Sequence, residues 1–341
     1  MQAEGRGMKK ALQVTQLALP RGQHRLCGLC QKPAYLQCSG CRVTCYCTER
    51  HQQEDWVGIH KKVCHLLKPE VDKVELMKIS RSVAQSKLSE ENHQEALPAA
   101  VFCLHCSCAV YPPRAVQMVP AYLLMAEVNM GLGELSLVRE FLSKADWASM
   151  ESTDHSVHQG VHRGLGRLNT ATGDLDAARF HFAHDIYFAC EAYGLDTPPT
   201  CAGYFLLANV FAKQEKIPIA HSMYSKVATI WHCHFTKLLE THPQNPDMVL
   251  EPSHGEARLM LKAMLEFEQN YSLKDSAQIA LVAHCLAMLW FLRGDSQKAL
   301  EFGTTALQAS QLIPNHDLTE PIQGLLELVQ NRQEEHHPGS D

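Results

Sequence analysis

Eight potential metal ligands fall in four pairs between Cys27 and Cys64, and no other feature of this 341-residue chain restricts its folding as strongly. The pairs are Cys27/Cys30, Cys38/Cys41, Cys47/His51 and His60/Cys64. A gap of two residues suits a tight knuckle whose thiolates converge on one ion, and a gap of three puts both ligands on one face of a helical turn. Eight donors fill two tetrahedral sites. A segment this short cannot bury enough apolar surface to fold unaided, whereas a structural zinc site contributes about 10–16 kcal/mol. The pattern therefore predicts a small domain in which two zinc ions are part of the fold. With every position held by a side chain, none stays open for an activated water, so the zinc reads as structural rather than catalytic. Spacing alone leaves open whether the first four ligands share an ion or the pairs interleave. A disulfide framework is the competing reading, and it requires an oxidising compartment. Cys45 is a ninth candidate, which a full set without it leaves as a packed thiol.

The residues between the ligands carry a resemblance. The string YCTERHQQEDW from Tyr46 to Trp56, followed by His60 and Cys64, resembles a MYND-type zinc finger. That family usually ends its third pair in cysteine, and His51 stands there in this chain. Imidazole is an equally good zinc donor, so the site keeps its ligand count. The resemblance implies interleaving, with Cys27, Cys30, Cys47 and His51 on one zinc and Cys38, Cys41, His60 and Cys64 on the other. It also implies a use, because several MYND fingers hold a proline-containing peptide in a shallow groove beside the second zinc pair. The matching positions are Gln52 and Trp56, a polar hydrogen-bonder and an aromatic face one helical turn apart. Packing of the short helix is the other reading of Trp56.

Beyond the finger, hydrophobic residues make up 45% of the chain, ample for a core, and the formal net charge is −6. That balance lacks the basic surplus expected of a nucleic-acid or anionic-membrane binder. Lys9 and Lys10 before ALQVTQLALP superficially suggest a signal peptide, but Gln13, Thr15 and Gln16 break the apolar run and no small-residue cleavage site comes after it. No segment approaches the ~18 consecutive apolar residues of a membrane span. A reducing intracellular compartment is the expectation, and it suits a thiol-rich finger. Residues 1–20 read as a flexible extension and 21–68 as the finger, with a domain boundary near Pro69.

From residue 69 onward the chain is repetitive and helical. MGLGELSLVREFLSKA, TATGDLDAARFHFAHD, AKQEKIPIAHSMYSKV and LRGDSQKALEFGTTAL can be laid over one another without gaps. Each reads as a turn followed by a helix, the pattern of a tetratricopeptide-like hairpin. A small residue on the first helix admits its partner: Ala126, Gly166, Ala208 and Ala287. Val138, Ala178, Ala220 and Ala299 on the second helix pack into that gap, with Leu142, Phe182 and Tyr224 as larger knobs a turn later. Gly133, Gly173 and Gly294 mark the turns, and NHQEALPAAVF with Ala96 reads as a weaker first unit.

From Ala96 through Val138, Ala178 and Ala220 to Ala299 the steps are 42, 40, 42 and 79 residues. The standard unit is about 34 residues, so helices or loops are longer here. The last gap leaves room for a degenerate repeat over residues 232–275, with HGEARLMLKAMLEFEQNY as its helix after the proline-punctuated loop THPQNPDMVLEP. The expected fold is mostly α: a two-zinc finger, then an α-solenoid of about five or six hairpins over residues 69–328, then a polar tail over 329–341.

Other features give blander readings. Cys103, Cys106 and Cys108 with His105 sit on one helix, where successive residues face different ways, and read as packing thiols. Tyr187, Phe188 and Tyr193 read as a core stripe, a partner-facing patch being the alternative. The glycines of GLGELS and GLGRLN come after no strand, and P-loop, HExxH and GxSxG elements are absent from the sequence. One lysine-methyltransferase class joins a MYND finger to a SET fold, but the Asn-His-x-Cys-type motif and a strand-rich block are missing, so no enzyme is expected.

The segments VPAYLLMAEVNMGLG, ARFHFAHDIYFAC and GYFLLANVFAKQEK, together with the finger, resemble a family in which a MYND finger precedes tetratricopeptide repeats. The resemblance covers residues 20–325 and implies a scaffold of motile cilia and sperm flagella, partnered by axonemal dynein components and another tetratricopeptide protein. Cytoplasm and cytoskeleton are the implied location, and no nucleic acid, membrane or small-molecule substrate is expected. A nuclear or cytosolic adaptor that recruits proline-containing corepressor peptides is the alternative.

Overall fold

Three short antiparallel strands begin the structure, a computed structural model that describes residues 14–16, 25–67, 72–241, 253–270 and 275–336. The strands are β1 (Val14–Gln16), β2 (Leu36–Cys38) and β3 (Cys45–Tyr46) in that order across the sheet, with Val14 opposite Cys38 and Leu36 opposite Tyr46. The expectation of a flexible extension over 1–20 is thus corrected at residues 14–16. Three residues too short to signal a strand by themselves gain one by pairing with β2. Helix α1 (Glu49–Asp55) comes next, then a π-helical turn (Trp56–His60) and α2 (Lys61–Val63).

The remaining helices are α3 (Lys73–Ser89), α4 (His93–Val110), α5 (Val119–Gly131), α6 (Leu135–Ser149), α7 (His155–Thr172), α8 (Leu175–Tyr193), α9 (Pro198–Lys213), α10 (Ile217–Thr241), α11 (Ser253–Asn270), α12 (Ser276–Leu292), α13 (Ser296–Gln311) and α14 (Thr319–His336). The protein is mostly helical, with helical hairpins following the finger. No helix among the described residues is long and apolar enough to cross a membrane.

Each expected turn is a tight link between two helices. Gly133, Gly173 and Gly294 sit there at φ 78°, 86° and 78°. The equivalent positions of the first and fourth hairpins are Glu91 and Glu215, at φ 60° and 59°. The next residue opens the second helix: the side chains of Asn92, Asp174 and Asp295 accept from the N–H groups of Glu95, Ala177 and Lys298 at 3.3, 3.0 and 3.0 Å. This stop-and-start signature sets the phase of the repeat. Ala126, Val138, Gly166, Ala178, Ala208, Ala220, Ala287 and Ala299 are all buried, as their small-residue role requires.

The chain forms two compact units, Met1–Leu168 and Asn169–Asp341. In the first, Ile59 and Val63 of the finger belong to the same core as Leu76 and Ala84 of α3, Ala96, Ala99 and Cys103 of α4, and Leu124 of α5. Pro69 lies outside the described residues, but this core runs from one side of it to the other. Pro98, inside α4, cannot donate to the carbonyl one turn back, and its ring packs directly on Gly58 of the π-helical turn.

In the second unit α12 is apolar nearly all round and lies at the centre. Ala208, Tyr224, Trp231, Phe235, Leu261, Met264 and Ala299 pack with it. The expected degenerate repeat over 232–275 is not a separate hairpin. The 25-residue α10 continues to Thr241 and α11 stands as a single helix, residues 242–252 lying outside the described residues. The polar tail expected from 329 is also corrected, since α14 runs to His336. Ile322, Leu325, Leu326 and Val329 form one buried stripe at helical spacing, and the Arg332 guanidinium donates to the Phe291 carbonyl at 2.9 Å. The aromatic stripe of α8 is likewise not core. Tyr187 is 56% and Tyr193 46% exposed, while Phe182 points inward at 1%.

Candidate metal centre

Both CxxC turns are built alike. The N–H of Gln31 bonds the carbonyl of Cys27 and that of Arg42 bonds the carbonyl of Cys38, each at 3.0 Å. Gln31 and Arg42 then take left-handed conformations, both at φ 58°, which turns the chain away once its two thiols are placed. Gly40 lies so near the second set that a Cβ there would meet Cys64 Sγ at 3.1 Å. Thr48 caps α1 by accepting from the N–H of His51 at 3.2 Å, which fixes His51 beside Cys47. The π-helical turn comes immediately after α1 and presents His60, with Cys64 one turn further along.

The folded chain answers the question that spacing leaves open. Cys27, Cys30, Cys47 and His51 converge in one set and Cys38, Cys41, His60 and Cys64 in another, the ligand atoms of each set lying within 4.8 Å of one another. A zinc tetrahedron with Zn–S of about 2.3 Å and Zn–N of about 2.0–2.1 Å has edges of about 3.8 Å between sulfurs and about 3.6 Å between sulfur and nitrogen. The first set has Cys30 Sγ to Cys47 Sγ at 3.5 Å, and His51 Nδ1 at 3.5 Å from Cys27 and 3.2 Å from Cys47. The second has Cys38 to Cys64 at 3.9 Å, and His60 Nε2 at 3.6 Å from Cys41 and 3.3 Å from Cys38. These are the edges of two zinc-sized tetrahedra. All of these cysteines are free thiols rather than disulfides.

The electrostatics of the donor sets call for a cation. Burial opposes a thiolate at Cys27, but the backbone around Cys30, Cys47 and Leu29 and the His51 ring outweigh it and bring the pKa down to about 6. At Cys41 burial is likewise outweighed, here by His60 and the backbone of Thr44 and Val43, again to about 6. Their neighbours are pushed the other way. Burial and the facing thiols raise Cys47 to about 11 and Cys64 to about 12. One thiolate in each set forms readily and repels the next. A dication at the centre removes that repulsion and holds all three in the thiolate state.

The second set has a support that sequence reasoning missed. Asp55 is 5% exposed, accepts from Tyr46 Oη at 2.7 Å and faces His60 Nδ1 at 3.5 Å. A carboxylate behind a ligating imidazole fixes the ring and strengthens its donor nitrogen, and Tyr46 in turn holds the carboxylate. Burial together with the Asp55 charge raises the Tyr46 phenol above its usual range, so it remains a donor. The spacing of Asp55, on the same helical run as His51 and His60, is the available signal.

The remaining candidates separate clearly. Cys45 is buried outside both sets. Cys103 and Cys106 are buried and Cys108 is exposed, so the three do not converge, while the amide of Gln31 reaches His105 Nε2 at 3.0 Å and ties the first knuckle to α4. Gln52 is 2% exposed and offers no open edge, which corrects its expected role as an accessible peptide hydrogen-bonder. Trp56 is half-buried with its ring 5.8 Å from that of His60. A groove of about 500 Å³ beside the finger opens instead on Arg50, Gln53, Val57, Gln94, Leu97 and Leu132.

The family model of the MYND finger matches residues 27–64, the span from the first ligand to the last. This segment is a MYND zinc finger. The MYND finger is a protein-interaction domain, and here it is a two-zinc one with three cysteines and one histidine in each set.

Proposed function

We propose that the chain is a non-enzymatic zinc-binding adaptor that scaffolds protein–protein contacts in the axoneme of motile cilia and sperm flagella, within the cytoplasm and cytoskeleton. The observation that carries the adaptor reading is the closed ligand sets. Eight side chains form two complete tetrahedra around positions where a catalytic zinc would need a vacancy for water. The repeat helices supply further surface, and their tetratricopeptide character is supported by the turn-and-cap signature and the buried small residues.

The axonemal assignment rests on the resemblance of residues now found on α5, α8 and α9, and it names axonemal dynein components and a second tetratricopeptide protein as partners. It is tested by isolating the full chain from ciliated or testicular tissue after cross-linking. Cross-links from dynein subunits to the repeat helices are the expected result. Their absence, with dynein present in the same extract, overturns the axonemal reading. Tight stoichiometric binding of S-adenosylmethionine would overturn the non-enzymatic one. The groove beside the finger favours a second reading, a nuclear or cytosolic adaptor for proline-containing peptides. Saturable binding of such a peptide, weakened in Val57→Asp or Leu97→Asp, supports it.

A further inference from the structure

A groove of about 630 Å³ runs along α6 in the first unit, away from the finger. Its long wall is a single helical stripe of Ser136, Arg139, Glu140, Ser143, Lys144 and Trp147. The opposite wall is Pro113 and Arg114 after α4, with Tyr122 of α5. Tyr122 Oη donates to the Pro113 carbonyl at 3.0 Å and so ties that segment to α5.

Two features distinguish this groove from an ordinary solvated helix face. Trp147 is 58% exposed, and its indole carries the Arg114 guanidinium 5.0 Å from the ring centre. A guanidinium held over an indole by the ring quadrupole still has N–H donors to offer, and their planar fork suits a carboxylate. The charge is also one-sided. Arg114, Arg139 and Lys144 face a single acid, Glu140, which already pairs with Lys144, in a chain whose net charge is −6. Trp and Arg together are the residue types that most often anchor protein interfaces.

We propose that this groove binds a short acidic segment of a partner protein. Its carboxylates are met by Arg139 and Arg114, and an apolar side chain lies against Trp147 and Tyr122. Nucleic acid fits less well, because phosphate binding draws on a longer basic track than three cations around one concavity. The inference rests on the scaffold reading only in taking the partner to be a protein, and its test uses no cellular partner.

The probe is a fluorescein-labelled pool of blocked hexapeptides with Asp or Glu at alternate positions and Phe, Tyr, Leu or Pro between. The control pool carries Asn and Gln in place of the acids. Anisotropy is measured on the full zinc-loaded chain and on Trp147→Ala, Arg139→Gln and Arg139→Glu, with helicity and zinc content checked for each. The acidic pool should bind saturably and lose at least about tenfold in affinity in Trp147→Ala and Arg139→Glu. It should lose less in Arg139→Gln. Failure to saturate, equal binding of the amide pool, unchanged affinity in the groove variants, or preferential displacement by single-stranded RNA would each overturn the proposal.

Discussion

Gly58→Ala tests whether the finger is fused to the helices behind it or merely tethered to them. A methyl group at this position would sit 2.7 Å and 2.8 Å from two ring carbons of Pro98 and 3.1 Å from the Glu95 carbonyl oxygen. Carbon–carbon contacts are best at about 3.5–4.0 Å, so one partner must move by close to 1 Å. Neither moves easily, since a proline ring has no rotamer to change and the carbonyl belongs to the α4 backbone. Such overpacking costs about 1–3 kcal/mol. Helix propensity acts in the opposite direction, favouring alanine over glycine by about 0.8–1.0 kcal/mol. The sign of the change is therefore informative. The difference is a net loss of about 0–2 kcal/mol, and with a rigid ring and a backbone oxygen both in the way the upper half of that range is expected. The assay is denaturant unfolding of the zinc-loaded chain, monitored by far-ultraviolet circular dichroism, with zinc content measured in parallel. A variant that keeps both ions and is as stable as the parent, or more so, would refute the claim that the π-helical turn rests on Pro98.

The geometry sets three further outcomes. Asp55→Asn should weaken one of the two zinc ions by about 10–100-fold against a chromophoric chelator, leaving the Cys27/Cys30/Cys47/His51 ion in place; equal weakening of both would contradict the support assigned to His60. His284 is 3% exposed, and burial together with neighbouring His232 depresses its pKa to about 3. The unfolded chain binds this proton below about pH 6.5 and the folded chain does not, so stability falls with falling pH from about 6.5 towards 3, by up to about 2 kcal/mol at pH 5, and His284→Gln should flatten that slope in urea titrations. Glu215→Gly, at φ 59°, should stabilise the α9–α10 turn by about 0.5–1 kcal/mol in thermal unfolding, and a loss would show that the left-handed turn carries no strain.

The helical repeat was legible in the chain because its turns take a left-handed residue, which three of them follow with a capping side chain, and both features restrict residue type. Gly173 before Asp174, and Gly294 before Asp295, announce themselves, whereas Glu91 and Glu215 occupy the same conformation without the signal. The ligands were legible as residues but not as sets, because pairing depends on how β2, β3 and α1 fold over one another. Asp55 was missed since a buried carboxylate looks like a surface one until Tyr46 and His60 are brought to it. On α8, helical spacing shows that aromatics share a face but not which face turns inward, and Phe182 took that place. On α14, the polar string after Val329 hid a helix held by one buried stripe and the Arg332 contact.

Ile59 and Val63 have neighbours in the sequence that bind metal and neighbours in space that do not. A newly made chain that has not acquired zinc lacks the folded finger that presents these two side chains, and the alanine face of α4 is left open to water and to other chains. Metal binding is thereby coupled to completing the core of the first unit, because the finger's share of that core forms only with the folded finger.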